Sequence, residues 1–241
     1  MDEDPTSDLS FYNELCHWDG FRNTTQFDLT QNSLESIPRE FLEAIPATFF
    51  IELLSNLEED DLEYLDPDDE VFTHAAFKID FATPVKQYKG IKVCMSLELT
   101  TRNAREGNLS ANLVTYSGMT ASSMRSYSFP IDQSITVRQV LEAITSKRLQ
   151  YFKFGFDPSE NYCGCRDFAV QAFYHLQACG YVDPNVEAVF PEEPPVAAGL
   201  TAYDILGTGY SRDGMPFERP IDKGTFHQYT RVVEPYMKYR R

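Results

Sequence analysis

The sequence predicts an α+β fold, a small antiparallel sheet packed on helices, preceded by an acidic helical N-terminal segment. Three observations carry this reading. Helical spacing of apolar residues gives way to alternation near position 70. Beyond that point strand-like runs follow one another before helices appear, instead of alternating strictly with them. The charge divides at the same place: residues 1–70 hold twenty acidic residues against two arginines, net −18, whereas residues 71–241 hold seventeen against nineteen bases, net +2. The expected organisation is an acidic helical segment over 1–70 and an α+β core domain over 71–241, ending in an irregular Pro- and Gly-rich C-terminal extension.

In the front segment, SIPREFLEAIPATFFIELLSNL places Phe41, Leu42, Ile45, Phe49, Phe50, Leu53 and Leu54 at mixed three and four spacings, with Pro46 restarting the helix. The following run EEDDLEYLDPDDE reads as a solvated linker, or as a surface for a basic protein partner. VFTHAAFKIDF and IKVCMSLELT read as strands joined by a loop with Pro84 and Gly90, and further strands are expected at NLVTYSG and MRSYSFPI. TVRQVLEAITSKR is a helix whose Thr136 and Gln139 fit a capping box. LQYFKFGF is a strand, and CRDFAVQAFYHLQAC a helix stopped by Gly180. The remainder is irregular wrapping up to a last strand, TFHQYTRVVEPY.

At 241 residues and 42% apolar content the chain can bury a sizeable core. No apolar run spans a bilayer and the start MDEDPTSDLS lacks the features of an export signal, so a cytoplasmic protein is expected, with the nucleus as the alternative and no membrane contact. Five cysteines, Cys16, Cys94, Cys163, Cys165 and Cys179, follow no framework and are expected to be reduced thiols. Only Cys163 and Cys165 lie close together, in a Cys-x-Cys spacing that falls short of a four-ligand zinc site, so neither metal nor cofactor is expected.

Cys165 shares one helix face with Phe168, Ala169, Ala172, Phe173 and Leu176, and it sits in the first turn. Unpaired backbone N–H groups and the positive end of the helix dipole there favour a thiolate. Gly164 clears space beside it and Arg166 adds positive charge. A packing role suits a buried cysteine equally well, so the chemistry depends on a base within reach. His74 opens the first core strand. A hairpin folded about residue 86 pairs Phe81 with Ile91, Ile79 with Val93 and Phe77 with Met95 on one face. On the other face it pairs Asp80 with Lys92, Ala76 with Ser96 and His74 with Glu98, a carboxylate beside an imidazole. The expected catalytic set is Cys165, His74 and Glu98, with His227 as the alternative base and Arg166, Gly164, Cys163 and Ser96 as substrate contacts. His175 is expected on the solvated side of its helix, and Trp18 to anchor the front segment.

The span from about 72 to 183, with HAAFKID, SLELTT, ITVRQVLEAI, YFKF and GCRDFAVQAFYHLQACGYVD, resembles a widespread fungal domain family of unknown function with a His-bearing strand followed by a Gly-Cys-Arg helix. The same order is similar to circularly permuted papain-like thiol enzymes, which include peptidases, deubiquitinating and deamidating enzymes and lipid acyltransferases. That second likeness implies a papain-like fold with Cys165 as nucleophile, His74 as base and Glu98 orienting it. The chain departs from it at Gly164, where those enzymes usually carry Asn or Asp, and a missing oxyanion donor there would count against the implied activity. The expected function is a thiol-dependent acyl-transfer enzyme acting on a small-molecule or peptide acyl substrate, either a hydrolase or an amide-forming transferase in fungal specialised metabolism. Two alternatives are a transferase using aminoacyl donors such as aminoacyl-tRNA, which would make tRNA the one nucleic-acid partner, and a non-catalytic interaction module with a papain-like shell.

Overall fold

The computed structural model describes residues 26–31, 34–55, 66, 70–71, 73–97, 105–156, 162–191 and 199–234. The strands are β1 (Gln26–Asp28), β2 (Pro46–Ser55), β3 (Glu70–Val71), β4 (Thr73–Val85), β5 (Tyr88–Leu97), β6 (Gly107–Val114), β7 (Ser123–Phe129), β8 (Phe152–Lys153), β9 (Gly155–Phe156), β10 (Tyr162–Cys163), β11 (Ala188–Phe190), β12 (Thr208–Ser211), β13 (Pro216–Glu218) and β14 (Thr225–Phe226). The α-helices are α1 (Arg39–Leu42), α2 (Val137–Thr145), α3 (Cys165–Ala178) and α4 (Ala202–Leu206). Seven strands form one antiparallel sheet in the order β1-β6-β5-β4-β2-β7-β11. The fold is α+β.

The sheet has two buried faces of different chemistry. On one, Phe49, Ile51 and Leu53 of β2, Phe77 and Ile79 of β4, and Ile91, Val93 and Met95 of β5 join α2 and α3 in a single apolar core. Phe173 of α3 sits among the rings of Phe49, Phe129 and Tyr203, with centroids 6.0, 5.4 and 5.9 Å away. The other face buries Glu52, Lys78, Lys92, Ser110, Asn112, Ser126 and Ser128. Here Glu52 accepts from the Thr120 backbone N–H and hydroxyl at 2.9 and 2.6 Å. Lys78 pairs with Asp80 and donates to the Gly118 carbonyl at 2.7 Å.

The front segment departs from its expected helix. Among its described residues, helical structure is confined to a 3-10 turn at Leu34–Ser36 and to α1 at Arg39–Leu42, and Pro46–Ser55 is a strand near the middle of the sheet, paired with β4 on one side and β7 on the other. The run PATFFIELL carries apolar residues on nearly every position, so three-and-four matches occur in it by density alone. Its β-branched and aromatic content and its burial on both faces are those of a central strand. A division at residue 70 therefore passes through one sheet. The acidic run lies almost wholly outside the described residues, as do His17 and Trp18.

The β4–β5 hairpin also corrects the expected register. The observed pairs are Phe77↔Val93, Lys78↔Lys92, Ile79↔Ile91 and Asp80↔Gly90, displaced by two from the expectation. The turn closes at Val85↔Tyr88, and between the two stretches four residues of β4 oppose one of β5. Pro84, which has no N–H to donate, lies in that bulge. An even displacement keeps every side chain on its expected face. α2 begins with the predicted capping box, Thr136 N–H donating to Gln139 Oε1 at 2.9 Å. Of the expected last strand, only Thr225–Phe226 is strand among the described residues. Beyond it Gln171 holds the backbone through Val232 N–H at 3.1 Å and Val233 N–H and C=O at 3.2 and 2.5 Å, which replaces a ladder.

Candidate thiol–imidazole site

Three elements converge on Cys165. Gly164, at φ +120°, caps α3 in a conformation that disfavours any residue with a Cβ. A Cβ there would stand 3.0 Å from Gly224 Cα and 3.0 Å from Phe152 Cζ. Asp167, fully buried one turn into the helix, accepts from Gly224 N–H at 3.1 Å and from Arg231 Nε and Nη2 at 3.2 and 2.5 Å. These bonds strap the 224–231 segment across the helix start. Cys163 lies just before the cap on β10, paired with Gly155.

The second element is the start of β4. Its ladder with β5 ends at Phe77↔Val93, while β4 continues beside β2 to Thr73↔Ser55. In the stretch of β4 freed from β5, the Ala75 backbone N–H and the His74 side chain both hydrogen-bond the Cys165 thiol. The third element is the guanidinium of Arg166, which is buried and donates to Leu206 and Thr208 carbonyls at 3.0 and 2.6 Å and to Thr73 Oγ1 at 2.6 Å. Residues 165–166 of the helix thus grip residues 73–75 of the strand at consecutive positions.

Burial of Cys165 would raise its thiol above the ordinary 9.0. The His74 side chain, the Ala75 N–H and the charge of Arg166 outweigh that and bring it down to about 6. A thiol so placed is largely thiolate at neutral pH, beside a group able to give and take a proton.

Of the residues singled out from sequence, Cys165 and His74 meet. Arg166 lends charge to the thiol, and its Nη1 and Nη2 donors hold protein groups, which makes it a positioning residue. Ser96 lies on the polar face, its hydroxyl donating to the Asn108 carbonyl at 3.3 Å. Glu98 lies outside the described residues. His227 is engaged by Glu106, 3.4 Å from its Nε2. His175 is half-buried against the Tyr229 hydroxyl at 3.0 Å, not solvated as expected.

The contact that sequence reasoning missed is His74 Nε2 with Cys94 Sγ, at 2.9 Å. Cys94 is disulfide-bonded, contrary to the expectation of five reduced thiols, whereas Cys163, Cys165 and Cys179 are unbridged. Cysteine spacing along the chain holds no record of which strands approach, so no sequence signal marked this one. A bridged sulfur carries no proton, so the imidazole N–H is the donor in the contact. Among the described residues no group of three or more His, Cys, Asp or Glu could hold a metal ion, and no helix is long and apolar enough to cross a membrane.

A family model described as Domain of unknown function (DUF7770) matches residues 83–227, more than half of the chain, and the chain belongs to that family. The matched span contains Gly164, Cys165 and Arg166 and begins partway along β4, after His74. No curated protein and no solved structure matches the chain.

Proposed function

We propose that this member of the DUF7770 family is a thiol-dependent acyl-transfer enzyme with a papain-like arrangement, a nucleophilic cysteine at a helix start served by a histidine from a strand. The observation that carries this reading is the contact of Cys165 with His74 at the end of the β4–β5 ladder. In the reaction the Cys165 thiolate attacks the substrate's carbonyl carbon and forms a C–S bond. The tetrahedral intermediate collapses, the bond to the leaving group breaks, and the imidazolium of His74 protonates that group as it departs. Water or an amine then attacks the thioester, His74 takes the proton of the attacking group, and the thiolate is released with the acid or amide as product. The Ala75 N–H stays bonded to the sulfur and holds it in place between steps.

A small activated ester tests this. Incubation with p-nitrophenyl acetate should release a burst of p-nitrophenolate and leave an acetyl group on Cys165, located by peptide mapping. Cys165→Ala should abolish both, and His74→Ala should slow acylation by about 100-fold or more, the usual contribution of a general base. Acetylation spread over several residues, or release unchanged in Cys165→Ala, would refute the assignment. Adding a primary amine separates the two product classes: an amide product marks a transferase and free acetate a hydrolase.

A further inference from the structure

Two sulfurs meet the same imidazole from the two sides of the sheet. Cys165 packs against the main core on the helix side. Cys94, 1% exposed, lies in a separate small cluster with Leu54 and Ala76, which alternate along their strands with the core residues Leu53 and Ala75. His74 stands where β4 and β5 part, hydrogen-bonded to the Cys165 thiol and with its Nε2 2.9 Å from Cys94 Sγ. The two cysteines differ in state: Cys165 is unbridged, whereas Cys94 is disulfide-bonded.

That difference decides how the imidazole is used. A free thiol in contact with an imidazole can pass it a proton and form a thiolate–imidazolium pair. Two free thiols on one ring would compete for a single positive charge, and their titrations would be coupled. A bridged sulfur has no proton to lose and can only accept the imidazole N–H, which holds the ring in place. We infer that Cys94 is a positioning residue whose bridge orients His74 and keeps Cys94 from competing with Cys165 for its imidazole. The charge of Arg166 bears on Cys165 whether or not Cys94 is bridged, so the bridge acts through His74. The inference rests on Cys165 being the nucleophile and His74 its base, and it gives Cys94 the orienting role expected of Glu98.

Two variants separate the cross-link from the proton it removes. Peptide mapping of the native, unreduced protein identifies the cysteine bonded to Cys94. Replacing that cysteine by serine opens the bridge and leaves Cys94 a thiol, whereas Cys94→Ser opens the same bridge and leaves no thiol beside His74. Alkylation of Cys165 by iodoacetamide near pH 7 should be at least about twofold slower in the first variant than in the second, the statistical share of two like thiols on one imidazolium, and its pH profile should gain a second step. Adding Cys94→Ser to the first variant should restore the faster rate and the single step. If Cys94→Ser does not fold, Cys94→Ala, small enough for the cluster with Leu54 and Ala76, replaces it. Equal or reversed rates in the two variants would show the bridge to be a structural cross-link alone and overturn the inference, as would a Cys94 mapped as a free thiol in the native protein. His74→Ala introduced into both should erase their difference, and a difference that persists would also overturn it. Should Cys165 resist alkylation in the wild type, it is the nucleophile reading that falls, and this inference with it.

Discussion

At Cys165 burial and partnership pull in opposite directions, and partnership wins. Desolvation alone would make the thiol inert, but the His74 side chain, the Ala75 N–H and Arg166 hold it at about 6 against an ordinary 9.0. The sign of the linked stability follows. An acid whose folded value is depressed stabilises the native state fully above its unfolded value, and that contribution is lost as pH falls through the folded value. The difference in melting temperature between wild type and Cys165→Ser should therefore grow as pH rises from about 6 to about 9, as followed by thermal denaturation. Arg166 acts through its neighbours: its bond to Thr73 Oγ1 fixes the strand residue beside His74. Thr73→Val should raise the thiol's apparent pKa and slow its acylation at neutral pH, while Thr73→Ser, which restores the hydroxyl, should rescue both. A purely structural role for Thr73 would lower stability without moving the pH profile. Cys165 and Gly164 were legible in the sequence because a Gly-Cys pair at the head of an apolar-faced helix has a local chemical meaning. Cys94 and Ala75 were not, since a backbone N–H and a sulfur on another strand enter the site only through tertiary approach.

At the scale of elements, α3 starts where it does because Gly164 alone tolerates φ +120° there and because Gly224 and Phe152 close in on it. Gly164→Ala should destabilise the protein by about 1–3 kcal/mol, a strained-backbone cost, readable as a lower denaturation midpoint. Phe173→Ala, which empties the ring cluster under the helix, should cost about 3–5 kcal/mol. The helices were legible from capping and periodicity: Thr136 and Gln139 mark one start and Gly180, at φ +73°, one end. Pro46–Ser55 was not, because a run that is apolar throughout satisfies helical and strand templates alike, and only its two hydrogen-bonded neighbours resolve it. The hairpin register went astray by two for a related reason. The apolar alternation constrains which face a residue takes, and a bulge of any odd or even length is decided by the turn, here around Pro84.

For the whole molecule, the consequence of that central strand is indivisibility. The charge boundary near residue 70 is real as a property of composition, but β2 lies before it and β4 and β7 after it, in the same sheet. A fragment of residues 71–241 should lack a cooperative unfolding transition and show poorly dispersed amide resonances, because removing β2 leaves two ladders unpaired and strips Phe49, Ile51 and Leu53 from the core. A well-dispersed spectrum from that fragment would show the core complete without its front strand. The thiol site sits at one end of this sheet, where β4 and β5 part, so its geometry depends on strands drawn from both sides of the charge boundary. The measurement that bears most directly on the site is the rate of Cys165 alkylation by iodoacetamide in the native protein as a function of pH. A half-maximal rate near pH 6, moved well upward by His74→Ala, is the expected result. A midpoint near the ordinary thiol value that is indifferent to His74, or no modification until the protein unfolds, would contradict it.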